Sequence, residues 1–179
     1  MTAIVRSYAG KAPRIGEGVF LAETCALIGD VSIGDGSSIW YSTVLRADVM
    51  SIRIGARTSL QDGTVVHVTS EEFGTVVGDD CTVGHGVILH GCTVEDLCLI
   101  GMGSTVLDGA RVGRGSLVGA GALVTPGTDI PPGSLVLGAP ARVVRPINQK
   151  EREQIEYAAG VYVELARRYL AGEGESSVR

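Results

Sequence analysis

The sequence predicts an all-β chain of short parallel strands, wound into about seven stacked three-sided coils and followed by one C-terminal α-helix. Three observations carry this. Aliphatic residues recur at every sixth position over most of the 179 residues, a period that fits neither a helix nor an alternating hairpin. Glycine is abundant, at 26 residues, while two Phe, one Trp and five Tyr leave few large rings for a core. Beyond the last repeat, apolar residues switch to helical spacing.

The aliphatic series runs through Ile33, Ile39 and Leu45, then Ile54, Leu60 and Val66, then Val77, Val83 and Leu89. It continues from Val94 through Ile100, Val106, Val112 and Val118 to Val124. Four positions after each comes a second slot, usually small: Ser37, Thr43, Val49, Thr58, Thr64, Cys81, Val87, Cys98, Ser104. Each six-residue rung is then a short strand and a turn, and three rungs close one coil. Successive coils stack at the ~4.8 Å strand spacing of a sheet. Cys25, Cys81, Cys92 and Cys98 form no CxxC pair and read as small core fillers rather than reactive thiols.

The segment from Gly133 to Arg142 closes the stack, giving a solenoid domain over residues 1–146. A helix over 147–171 starts at Asn148, with Glu151 three residues on as a capping-box partner. Ile155, Ala158, Ala159, Tyr162, Leu165, Ala166 and Tyr169 give it one apolar stripe to lay on the prism wall. Residues 172–179 read as a flexible tail.

Net charge is −5, and the 15 Lys and Arg form no basic run, so no nucleic-acid partner is expected. No apolar stretch is long enough for a membrane helix, and the first residues lack a hydrophobic segment of signal-peptide length. The expected compartment is the cytoplasm.

The repeat slips three times: three residues are extra between Leu45 and Ile54, five between Val66 and Val77, and one is missing between Leu89 and Val94. Corrected for these slips, Leu45, Val66 and Leu89 are equivalent in consecutive coils. Arg46, His67 and His90 therefore share one outward column. Leu60 and Val83 are likewise equivalent, which puts Asp62 and His85 in a second column, with Gln61 beside Asp62. All 3 histidines of the chain thus fall on two adjacent faces of two adjacent coils. His67 and His90 stack about one strand spacing apart, close enough to ligate one metal. His85 sits on another face and would complete the site only from a neighbouring chain, which predicts a homotrimer with three interfacial metals. The alternative is that the histidines only hydrogen-bond at a polar interface.

Three strings then carry a resemblance: Arg46-Ala47-Asp48, the run from Gln61-Asp62-Gly63 to His67, and the run Gly84-His85-Gly86 to His90-Gly91-Cys92. In these the sequence resembles the γ-class carbonic anhydrases, over nearly the whole chain. That family belongs to the hexapeptide-repeat proteins, and the resemblance implies that the solenoid is a left-handed parallel β-helix. It also implies His67, His85 and His90 as metal ligands, with zinc expected and iron(II) or cobalt(II) as alternatives. The implied reaction is reversible hydration of CO2 to bicarbonate, with a metal-bound hydroxide as nucleophile.

By the same resemblance, Gln61 orients that nucleophile, and Arg46, Asp48 and Asp62 form a charged network at the subunit interface. For these three residues a purely structural salt bridge is the alternative. Tyr162 matches a family tyrosine at the pocket, or else packs in the core. The family's acidic loop is missing, since Asp48 runs straight into Val49-Met50-Ser51, and this departure predicts low or absent turnover. Glu71 and Glu72 in the second loop are candidates for exporting protons, or are solvated surface. Two other functions compete: a hexapeptide acyltransferase or thioesterase, which needs only one interfacial histidine as general base, and a non-catalytic metal-binding scaffold.

Overall fold

Six-residue periodicity becomes a parallel β-solenoid of about seven turns with one C-terminal helix, seen in a computed structural model that describes residues 2–173. One face of the prism stacks Phe20–Leu21, Ser38–Ile39, Ser59–Leu60, Thr82–Val83, Leu99–Ile100 and Leu117–Val118 in parallel. Ser134–Leu137 extends this face, and the antiparallel strand Arg142–Pro146 closes it. The other two faces form one sheet, because the long strands Ala26–Ile33 and Val44–Ile54 bend round the corner between them.

Inside, the aliphatic slots form columns: Leu60, Val83, Ile100 and Val118 on one face, Leu45, Val66, Leu89 and Val106 on the next, all fully buried. Each coil therefore buries its apolar side only against its neighbours. The small slots serve the corners. Ser37 Oγ donates to the Gly55 carbonyl at 2.7 Å, Thr58 Oγ1 to Gly78 at 2.6 Å and Ser116 Oγ to Pro131 at 3.2 Å. These are carbonyls that the turns leave without a ladder partner, and a buried acceptor needs one. The cysteines share the same setting: all four are free and buried, and burial pushes the thiols of Cys25 and Cys92 up to about 11 and about 12. Neither yields a thiolate near neutral pH.

One slot differs from the sequence reading. Val49 is 47% exposed, and Ala47 is the buried residue. The extra residues sit in a bulge of the continuous strand Val44–Ile54. Alternation from Leu45 turns Ala47 inward, the pairing then jumps from Gly29–Ala47 to Val31–Ile52, and Val49 lies in the outward bulge between them.

The helix Gln149–Leu170 lies across the first face and buries Ile155, Ala159 and Ala166. Its large rings settle outside the prism: Tyr162 and Tyr169 pack edge-on against Trp40, at centroid distances of 5.8 and 5.2 Å, and Tyr169 also meets Phe20. Trp40 Nε1 donates to Ser38 Oγ and Ser59 Oγ, both at 3.0 Å. Of the expected tail, residues 174–179 lie outside the described residues. No described helix is long and apolar enough to cross a membrane.

The helix start carries a charge that can be tested. Asn148 Oδ1 accepts from the Glu151 N–H at 2.9 Å, while Glu151 accepts from the Asn148 N–H at 2.8 Å. Arg145 grips the same carboxylate with two bonds of 2.7 and 2.8 Å and, with the Asn148 N–H, holds the carboxyl down to about 2. A depressed carboxyl adds stability above its unfolded value, near 4.5, and loses it as the pH falls through about 2. Thermal unfolding followed by circular dichroism is therefore expected to lose more across that window in the wild type than in Glu151→Gln. Equal losses would remove Glu151 from the account.

Candidate metal centre

His67 ends the strand Val65–His67 and His90 ends Ile88–His90, and the two strands pair in parallel with His90 opposite His67. Because Val66 and Leu89 point inward, their neighbours must point out. Val44 and Leu45 pair with Val65 and Val66, which brings Arg46 into the same outward column one coil away. On the preceding face, Ser59–Leu60 pairs with Thr82–Val83, and the Gly86 N–H donates to the Asp62 carbonyl at 2.9 Å. Asp62 and His85 thus share a corner, with His85 Nδ1 2.8 Å from Asp62 Oδ2.

Side chains on the His67 face form a chain of contacts. Asp48 Oδ1 lies 3.1 Å from His67 Nε2, His67 Nδ1 lies 3.1 Å from His90 Nε2, and His90 Nδ1 lies 2.6 Å from Asp108 Oδ1. Arg46 pairs with the far oxygen of Asp48. Burial works against ionisation of Asp48, but bonds from His67 and Arg46 hold its carboxyl below the ordinary range. Asp108 behaves alike: burial opposes, and bonds from His90 and the Thr69 side chain prevail.

These contacts span three gaps, and each gap between the Asp48 and Asp108 carboxylates needs one proton. Two neutral imidazoles carry only two. A cation between the rings would stand in for the third proton. Two imidazole nitrogens each 2.0–2.1 Å from one tetrahedral zinc lie about 3.3 Å apart, close to the 3.1 Å found between His67 Nδ1 and His90 Nε2. The pair therefore fits a metal. Among the described residues of one chain, no group of three or more His, Cys, Asp or Glu side chains converges to hold an ion. His85 is not brought to the other two.

Gln61 is buried beside Asp62, fixed by its own N–H to the Val83 carbonyl and by Thr43 Oγ1 on its carbonyl. Tyr162 reaches this corner from the helix. Burial and the Asp62 charge raise its hydroxyl, against a lowering hydrogen bond with the Gln61 side chain. Glu71 and Glu72 are exposed on the loop pinned by the Thr69–Phe73 bridge.

No family model matches the chain. A carbonic anhydrase of Geobacillus kaustophilus is 46% identical over 168 residues, covering 94% of this chain and 92% of that protein. Arabidopsis thaliana γ carbonic anhydrase 2, a mitochondrial protein, is 43% identical over 171 residues, or 93% of this chain. The chain belongs to the γ-class carbonic anhydrase family. It spans only 62% of the plant protein's length. A solved Bacillus cereus structure, described as a candidate acetyltransferase, matches with a TM-score of 0.93 at 42% identity and covers 96% of this chain and 99% of that one.

The family resemblance covered the histidines, Gln61, Arg46, Asp48 and Asp62, but left out Asp108. The signal for it was present. The coil holding Leu89 is one residue short, so Asp108 stands directly over Gly91, and the Gly109 N–H donates to the Gly91 carbonyl at 2.7 Å.

Proposed function

We propose that this chain interconverts CO2 and bicarbonate at a metal held between two copies, by His67 and His90 of one and His85 of the other. The observation that carries the reading is the convergence of His67 Nδ1 and His90 Nε2, with His85 turned out on the adjacent face. Imidazole donors suit zinc, iron(II) and cobalt(II) alike. When bound, such a metal supplies the Lewis acidity that makes water a nucleophile near neutral pH.

The chain's own residues do the rest. Asp48 and Asp62 each hold one nitrogen of a histidine and leave the other free, and Arg46 keeps Asp48 turned toward His67. Gln61 lies on the His85 face, so a neighbouring copy delivers both together. Its amide, braced by Tyr162, is placed to hydrogen-bond a substrate oxygen. Val65, Ile88 and Met102 are exposed by 41%, 42% and 59% around the histidines. Covering them with the neighbour's face in a homotrimer removes apolar surface from water and shields the reacting atoms.

Chelator treatment tests the reading. Stopped-flow CO2 hydration is expected to vanish with the metal and to return with stoichiometric zinc, or with iron(II) or cobalt(II) added without oxygen. Protein that binds one metal per chain yet hydrates no CO2 would point to a structural metal in a scaffold. Metal-free protein that turns over acyl-CoA would support the transferase reading instead.

A further inference from the structure

Asp108 sits one coil beyond the histidines, in a turn outside the matched strings, and the fold is arranged to let it reach His90. A Cβ on Gly91 would run into Asp108 Oδ1 and lie 2.9 Å from Phe73 Cβ, so a side chain at 91 would push the carboxylate away. Gly91 also has φ +57°, which disfavours other residues. From the loop beyond His67, Phe73 packs over Gly91 and Gly109, and the Thr69 side chain helps keep the Asp108 carboxyl below its ordinary range. Asp108 Oδ1 thus lies 2.6 Å from His90 Nδ1.

We infer that Asp108 is a positioning residue for the metal: it takes the Nδ1–H of His90 and so fixes the tautomer that leaves Nε2 free as a ligand. A neutral imidazole carries its proton on either nitrogen, and the partner of one nitrogen decides which is available to a metal. With Asp108, every histidine of the proposed site has its own carboxylate: Asp48 for His67, Asp62 for His85, Asp108 for His90. The inference rests on the metal-site reading above and adds the residue that orients its second ligand. It also gives the glycine after His90 a reason, since only Gly91 leaves the carboxylate a path.

The test compares Asp108→Ala and Asp108→Asn with the wild type in two measurements. In metal-free, nitrogen-15-labelled protein, NMR reads which nitrogen of His90 carries the proton. Competition with a chromophoric chelator reads zinc affinity. The wild type is expected to hold the proton on Nδ1. Asp108→Ala is expected to lose that preference and bind zinc 10–100-fold more weakly, the usual cost of removing such an outer partner. Asp108→Asn, whose amide oxygen still accepts from Nδ1–H, is expected to recover most of both. Asp108→Ala with unchanged tautomer and affinity overturns the inference. A wild type that takes up no zinc overturns the metal-site reading instead, and the tautomer comparison still decides whether Asp108 sets His90. Should Asp108→Ala fail to fold, Thr69→Val, which loosens the same carboxylate, is expected to shift both readouts the same way to a smaller extent.

Discussion

Two variants that are each inactive are expected to restore about a quarter of the sites when their subunits are mixed at random in one trimer. His90→Ala removes a ligand from the face that carries His67, and His85→Ala removes the ligand on the adjacent face. Alone, each variant has every interface broken, so neither binds metal stoichiometrically and neither hydrates CO2. In a mixed trimer, an interface joining the intact His67–His90 face of one chain to the intact His85 face of the next has all three ligands. The reciprocal interface has lost two. Random assortment gives the intact pairing at about one interface in four. Metal content and hydration rate of the co-expressed, co-purified protein should both approach that fraction.

A site formed within a single chain gives a different answer. Every chain in the mixture then carries one defective histidine, and no mixing restores anything. The geometry argues for the shared site, because Asp62 holds His85 at a different corner from the His67–His90 pair. The apolar surface of Val65, Ile88 and Met102 beside the histidines leads the same way. Restoration near a quarter would confirm that these faces meet, and complete absence would sink the interfacial arrangement whatever the metal.

What the sequence made legible follows from the physics of the repeat. A coil that buries one residue in six against its neighbours writes that residue into the chain at a fixed period. Counting the slips then aligned His67 with His90 and Asp62 with His85, which the strand pairing reproduces. The position of Val49 was not legible, because a count shows how many residues are extra but not where along the strand they bulge. Nor was the meeting of Tyr162 with Gln61, which depends on where the helix docks across Trp40. Asp108 lay one short coil further on, over Gly91 and one place beyond the column of Arg46, His67 and His90, so the count did not bring it to His90.

Gly101→Val is expected to destabilise the protein by about 3 kcal/mol or more, lowering the unfolding midpoint by about 6–12 °C. The reason is contact between coils rather than backbone angle. Gly101 follows the buried Ile100, its N–H donates to the Val118 carbonyl at 2.7 Å, and φ is not left-handed. A Cβ there would stand 2.7 Å from the Gly119 carbonyl carbon and 2.8 Å from Ala120 Cα, all backbone of the next coil. Nothing flexible can yield, so the coils must part and the buried columns on either side lose contact. Gly115 is the control: its φ is +67°, but a Cβ there meets nothing within 4 Å. Gly115→Asn, a residue that tolerates this conformation, should cost well under half as much. Equal losses would show that glycine serves this fold through turn conformation alone. The effect should also reach the candidate site, because the Gly103 N–H donates to the His85 carbonyl at 2.8 Å and ties that coil to the histidine beneath it. Gly101→Val is therefore expected to weaken metal binding as well as stability, whereas Gly115→Asn should leave metal content unchanged.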